Sequence, residues 1–228
     1  MSIAINLKSV LDKIRTAALK SGRDSESVRL VAVSKTRPAV DVDAAARSGQ
    51  LLFGENYAQE LAAKAGEVTE AVEWHFIGHL QSNKVRQVAG LVTMIHSVDR
   101  LSLAEEIDRQ WGKLGKVCDV LIEVNIAREE TKSGTTAMAV FELVRQVSLL
   151  PQLRIMGLMT MPPFFDDPEG ARPYFRDLRR ISEEICAENI PNVRMKELSM
   201  GMSGDFEVAI QEGATMVRVG TAIFGSRT

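Results

Sequence analysis

Apolar residues recur along the chain in two alternating rhythms. Short runs rich in valine, isoleucine and leucine fall at 29–35, 51–55, 73–79, 94–98, 117–126, 154–160, 196–200 and 215–220 and read as strands. Between them, apolar positions three and four apart predict helices over 40–48, 57–68, 83–89, 101–114, 136–148, 168–188 and 205–212. One more helix, over 6–20, precedes the first strand. Strands joined by helices run parallel, and eight such units can close into a barrel. An open doubly wound sheet is the rival, but it usually has fewer strands and a glycine-rich first turn. Here the first strand leads into Lys35-Thr-Arg-Pro38 instead. The expected fold is an α/β chain forming a single (β/α)8 TIM-type barrel with an extra N-terminal helix. No linker or low-complexity tract divides it, so residues 1–228 are expected to form one domain.

Composition changes little in this picture. With 45% hydrophobic and 25% charged residues the chain is ordinary for a soluble globular protein, and a net charge of -2 gives no bias toward nucleic acid or anionic membrane. Aromatics are 5% of residues and no basic stripe interleaves with them, which argues against nucleic-acid binding. No apolar stretch is long enough to span a bilayer, and the start of the chain lacks the pattern of a signal peptide. Cys118 and Cys186 are too few for a disulfide framework and are expected to be buried, reduced thiols of a cytoplasmic protein.

Candidate chemistry gathers at the strand ends, where barrels of this kind place their sites. Lys35 closes the first apolar run and, by strand alternation, shares a face with Val31 and Val33. Partial desolvation at the rim of an apolar core favours a neutral, nucleophilic amine, the requirement for a Schiff-base lysine. A rim lysine that snorkels to water is the plainer alternative. Strands seven and eight run into Ser199-Met-Gly-Met-Ser-Gly-Asp205 and Val217-Arg-Val-Gly-Thr221. Their glycines admit backbone to a ligand, Ser199, Ser203 and Thr221 offer hydroxyls, and the next helix offers N–H groups, together favouring phosphate. Two ordinary turns with Ser203 or Asp205 as a cap are the alternative.

Arg218 lies between valines and needs a partner, either a buried carboxylate such as Glu123 or a heterocyclic nitrogen of a cofactor. The histidines are His75, His79 and His96, and no His-Glu-x-x-His pattern or further ligand supports a metal. His79 is expected at the rim with Asn56 and Asn83. Gly201-Met-Ser-Gly204 lacks the spacing of a nucleophile elbow, and no Walker motif is present. The polar segment 127–135 and the stretch 161–167 are expected to be rim loops, the first of them mobile.

Val31-Ala-Val-Ser-Lys35, Phe53-Gly-Glu-Asn56, Trp74-His-Phe-Ile-Gly-His-Leu-Gln-Ser-Asn-Lys84 and His96-Ser-Val-Asp99 follow one another in an order that resembles the pyridoxal-phosphate homeostasis proteins. So do Glu123-Val-Asn125, Lys132-Ser-Gly134, Gly157-Leu-Met-Thr-Met161, Leu198–Asp205 and Val217–Thr221, and the match runs from about residue 29 to 225. The resemblance implies a barrel like the alanine racemase N-terminal domain, with pyridoxal 5′-phosphate held on Lys35. It implies Arg218 at the pyridine nitrogen, and Ser199, Gly220 and Thr221 on the phosphate with backbone help from Gly201. Met200 and Met202 are expected to line the pocket, with Asn56 and His79 near the ring.

An arginine at that nitrogen disfavours its protonation and weakens the ring as an electron sink. Racemases of this fold add a tyrosine from a second domain, whereas the only tyrosines here are Tyr57 and Tyr174. The resemblance therefore implies a non-catalytic, monomeric carrier whose partners are the cofactor and apoenzymes that use it. A single-domain amino-acid racemase is the alternative, and a barrel for another phosphate ester a third reading.

Overall fold

The computed structural model describes residues 2–129 and 132–225. Its eight strands are β1 (Arg29–Val33), β2 (Leu52–Glu55), β3 (Glu73–Phe76), β4 (Met94–Val98), β5 (Cys118–Glu123), β6 (Leu153–Met159), β7 (Val193–Ser199) and β8 (Met216–Val219). They form a closed parallel barrel in sequence order, sealed where Val31 of β1 pairs with Arg218 of β8. The connecting helices are α2 (Ala39–Arg47), α3 (Ala58–Glu67), α4 (Val85–Val88), α5 (Leu101–Lys113), α6 (Val140–Val147), α7 (Arg172–Ala187) and α8 (Phe206–Gln211). A leading helix, α1 (Ile3–Lys20), and a short closing helix, α9 (Thr221–Phe224), flank these repeats.

Alternation along each strand divides the core in two. Leu30, Ala32, Phe53, Phe76, Ile95 and Val217 face the helices in one large cluster. Val31, Leu52, Ile77, Met94, Leu121, Met159 and Met216 form a smaller cluster inside the barrel. Helix α1 buries Leu7, Val10, Ile14, Ala17 and Ala18, one stripe at helical spacing, and packs against α8, α9 and α2. The Asn6 side-chain amide ties it to the Ile223 carbonyl of α9 at 2.9 Å.

Several element ends differ from those the sequence predicts. β1 stops at Val33, so Lys35 lies two residues beyond it in a turn, and β3 stops at Phe76, leaving His79 in the following loop. β5 ends at Glu123, and an isolated bridge from Val124 to Thr135 follows. β7 starts earlier than expected, at Val193. The helix expected over 83–89 is a 3-10 turn, Ser82–Lys84, followed by α4, and α6 begins at Val140 after the Thr136 hydroxyl caps Ala139. Cys118 is buried, but Cys186 is exposed on α7, contrary to the expectation for both. Residues 130 and 131 of the expected mobile loop 127–135 lie outside the described residues.

Candidate functional site

A cavity of about 370 Å³ opens where the C-terminal ends of the strands converge. Val33, Lys35, Asn56 and Ile77 line it from the ends of β1, β2 and β3 and the residues just past them, and Arg218, Gly220 and Thr221 from β8 and the start of α9. Met202, Ser203, Gly204 and Asp205 come from the β7–α8 turn. Met161, Pro163, Phe164 and Phe165 make an apolar wall from the loop after β6.

The turn that carries Lys35 is fastened on both sides. The preceding Ser34 donates its hydroxyl to Glu55 at 2.7 Å, and its carbonyl accepts from Lys64 Nζ at 2.7 Å. Lys64 is itself buried and ion-paired with Glu55 and Glu60. On the other side, Glu60 accepts the Thr36 N–H at 2.5 Å. Thr36 has φ +62°, a left-handed conformation unusual for a β-branched residue and of a kind that concentrates at functional sites. Burial raises the pKa of Glu55, and its hydrogen bond and charge contact with Lys64 oppose that rise.

The opposite wall is built from two tight turns. Asp205 accepts the Met202 N–H at 2.6 Å, closing the β7–α8 turn, and the Thr221 hydroxyl donates to Ser203 at 3.1 Å across the gap. A Cβ on Gly220 would meet the Val33 carbonyl oxygen at 3.1 Å, so only glycine leaves this approach relaxed. Gly78 is packed harder, with the Asn56 carbonyl oxygen 2.4 Å from where its Cβ would be, which locks the Asn56 backbone in place. The Asn56 side-chain oxygen is buried without a hydrogen-bond partner.

Arg218 forms the floor. It is 4% exposed, and burial lowers its pKa to about 10 against the opposing pull of Glu123 and Asp205. Its guanidinium donates to the Ser199 hydroxyl at 2.6 Å and to the Thr160 carbonyl at 2.9 Å, not to Glu123. Burial, reinforced by Asp99 and opposed by Arg218, brings Glu123 up to about 7.

Of the residues expected from sequence, Lys35, Asn56, Met202, Arg218, Gly220 and Thr221 line the cavity. Four do not. Ser199 is fully buried beneath Arg218, with its hydroxyl engaged by Arg218 and His96, and does not line the cavity. Met200 points outward into the barrel–helix layer. Gly201, at φ +92°, is packed against α8, and its carbonyl accepts the Arg218 N–H. His79 is half-exposed and hydrogen-bonded to Ser133 at 2.9 Å, away from the cavity. Asn83 is exposed and does not line it either. Arg37 and the aromatic pair Phe164 and Phe165 line the cavity without having been foreseen. Among the described residues no cluster of His, Cys, Asp and Glu could hold a metal, and no helix is long and apolar enough to cross a membrane.

The barrel, its lysine and the paired turns after β7 and β8 define a class. The family model for the alanine racemase N-terminal domain matches residues 5–228. Within that class the resemblance narrows. The pyridoxal phosphate homeostasis protein of Aquifex aeolicus is 45% identical over 100% of this chain and 99% of its own length. A crystal structure of an unknown protein from Bifidobacterium adolescentis superposes with TM-score 0.92 at 39% identity, covering 97% of this chain and 94% of that one. PipY of Synechococcus elongatus, with pyridoxal phosphate bound, superposes with TM-score 0.81 at 38% identity, covering 93% and 99%. The chain belongs to the pyridoxal phosphate homeostasis protein family.

Proposed function

We propose that this protein binds and buffers pyridoxal 5′-phosphate in the cytoplasm, as one barrel domain that holds the aldehyde on Lys35 as a Schiff base and does not turn over substrate. The observation that carries the reading is the placement of Lys35, Arg218 and the Gly220–Thr221 turn around one cavity. The cavity fits the group. Ser203, Gly204, Gly220 and Thr221 supply hydroxyls and close backbone for a phosphate, and Val33, Ile77 and Met202 supply apolar surface for the ring. The orphaned Asn56 oxygen awaits a donor, and Arg218 offers its remaining N–H groups to a ring nitrogen.

When bound, the cofactor supplies an electrophilic aldehyde and a conjugated electron sink. Lys35 is the residue that would hold that aldehyde through its amine, with water as the leaving group. The cationic Arg218 disfavours a proton on the ring nitrogen, which weakens the sink and suits retention better than turnover. The titratable side chains lining the cavity among the described residues are Lys35, Arg37, Asp205 and Arg218. Asp205 is tied to the Met202 N–H, while Tyr57 is exposed and Tyr174 stands behind Phe165 at 5.8 Å between ring centres. This arrangement offers no ready second acid opposite Lys35, as a racemase needs.

The test is uptake of pyridoxal phosphate by the wild type and by Lys35→Ala, with deuterium exchange at the α-carbon of common L-amino acids measured alongside. Uptake lost in Lys35→Ala, with no exchange in the wild type, is the expected result. Rapid exchange would establish an enzyme instead. Uptake unchanged in Lys35→Ala would remove Lys35 from the site.

A further inference from the structure

Two histidines that the cavity does not use lie side by side in the barrel interior, His75 on β3 and His96 on β4, 1% and 0% exposed. Their ring centres are 4.9 Å apart, and His96 Nε2 and His75 Nδ1 are hydrogen-bonded at 2.9 Å. His96 Nδ1 meets the Ser199 hydroxyl at 2.9 Å, and His75 Nε2 meets Glu73 Oε1 at 3.2 Å. With the Arg218–Ser199 bond, these contacts form an unbroken line from the cavity floor to Glu73, the partly exposed first residue of β3.

The direction of every link follows from its two ends. A guanidinium only donates, and an ionised carboxylate only accepts. His75 and the Thr93 hydroxyl hold Glu73 ionised down to about 2, and burial pushes both histidines toward the neutral ring. Ser199 therefore accepts from Arg218 and donates its proton to a bare His96 Nδ1. His96 then donates from Nε2 to a bare His75 Nδ1, and His75 donates from Nε2 to Glu73. Reversing the histidines would set a bare His75 Nε2 against the Glu73 carboxylate, two acceptors at 3.2 Å. One arrangement alone satisfies all four links with both rings neutral.

We propose that Ser199, His96, His75 and Glu73 form a one-way hydrogen-bond chain through the barrel that fixes the Arg218 guanidinium under the cofactor ring, with His96 and His75 as positioning residues. The cofactor half of this statement rests on the function proposed above; the chain itself does not. The Thr160 carbonyl holds the other arm of the guanidinium, so the chain selects its rotation about that anchor. Buried polar networks of this kind specify one geometry when every member is satisfied and lose it when one is not.

The test begins with the wild-type protein without added cofactor, uniformly labelled with ¹⁵N in histidine. Long-range proton–nitrogen spectra at neutral pH are expected to show His75 and His96 neutral, each with hydrogen on Nε2 and a bare Nδ1. Glu73→Ala then removes the acceptor at the far end of the barrel. It is expected to let His75 populate both tautomers, to shift the absorbance band of bound pyridoxal phosphate, and to weaken its binding about fivefold, as loss of one hydrogen bond would. A hydrogen on Nδ1 of either histidine in the wild type would overturn the chain. So would a Glu73→Ala protein whose cofactor spectrum and affinity match the wild type. Correct tautomers in a protein that takes up no pyridoxal phosphate would uphold the chain and overturn the cofactor reading alone.

Discussion

Glu123 shows how one side chain ties the site to stability. It is buried at the end of β5, one carboxylate oxygen has no partner, and burial first, then Asp99, lifts its pKa to about 7. Because the folded value exceeds the unfolded one, near 4.5, the native state holds the proton more tightly. Its contribution is complete below the unfolded value and is lost as pH rises through about 7. Glu123→Gln removes that dependence. It is expected to raise the melting temperature at pH 8 while changing it little at pH 5, a difference on the order of 2–3 kcal/mol. Thermal melts at the two pH values check this; equal shifts at both would contradict it. Thr36 is a second residue-scale case, since its strained φ was invisible in the sequence Ser34-Lys35-Thr36. Thr36→Gly is expected to melt slightly higher, by up to about 1 kcal/mol of stability, once relief of strain is set against glycine's entropy. The same variant is expected to bind pyridoxal phosphate more weakly, because the Lys35 turn is no longer held to one conformation.

At the scale of elements, period-two alternation was the most legible signal. It places Val31 and Val33 of β1 inside the barrel, and it puts Ser199, the last residue of β7, inside and Met200, just past it, outside. Applied strictly to 193–200, it would have separated those two residues, whereas reading the whole Gly-rich turn as pocket lining did not. His79 failed for a different reason: β3 ends at Phe76, and His79 lies three residues further on, in a loop that does not keep the alternation. The Lys64–Glu55–Glu60 group was illegible, because nothing in local spacing says that a helix α3 lysine reaches the carbonyl of Ser34. Lys64→Met is expected to cost about 3 kcal/mol in urea unfolding by stranding buried Glu55, and Glu55→Gln in the same chain should recover part of it. Gly157 is the matching case in β6. A Cβ there would lie 1.8 Å from the Glu197 carbonyl oxygen, at the register shift where β6 meets β7. Gly157→Ala is expected to lose more than about 3 kcal/mol by circular dichroism, and a native-like melt would show that the two strands can separate freely.

For the whole molecule, the eight alternating segments made the barrel legible, because eight strands connected by helices leave few parallel closures. The barrel in turn brings together Lys35 and Asn56, just past β1 and β2, with Arg218 of β8 and Thr221 at the start of α9, pieces that lie far apart in sequence. The aromatic wall of Phe164 and Phe165 was hidden, since a loop's path over a cavity depends on contacts with other loops, such as Lys132 Nζ on the Pro162 carbonyl at 3.1 Å. The proposal that this assembly is a carrier rests on one bond, between Lys35 and the cofactor aldehyde. Borohydride reduction of the protein loaded with pyridoxal phosphate, followed by peptide mapping, tests that bond most directly. A single pyridoxyl group on Lys35, with loss of the absorbance band on reduction, is the predicted result; a protein that takes up no pyridoxal phosphate, or carries the adduct only on other lysines, would contradict the account.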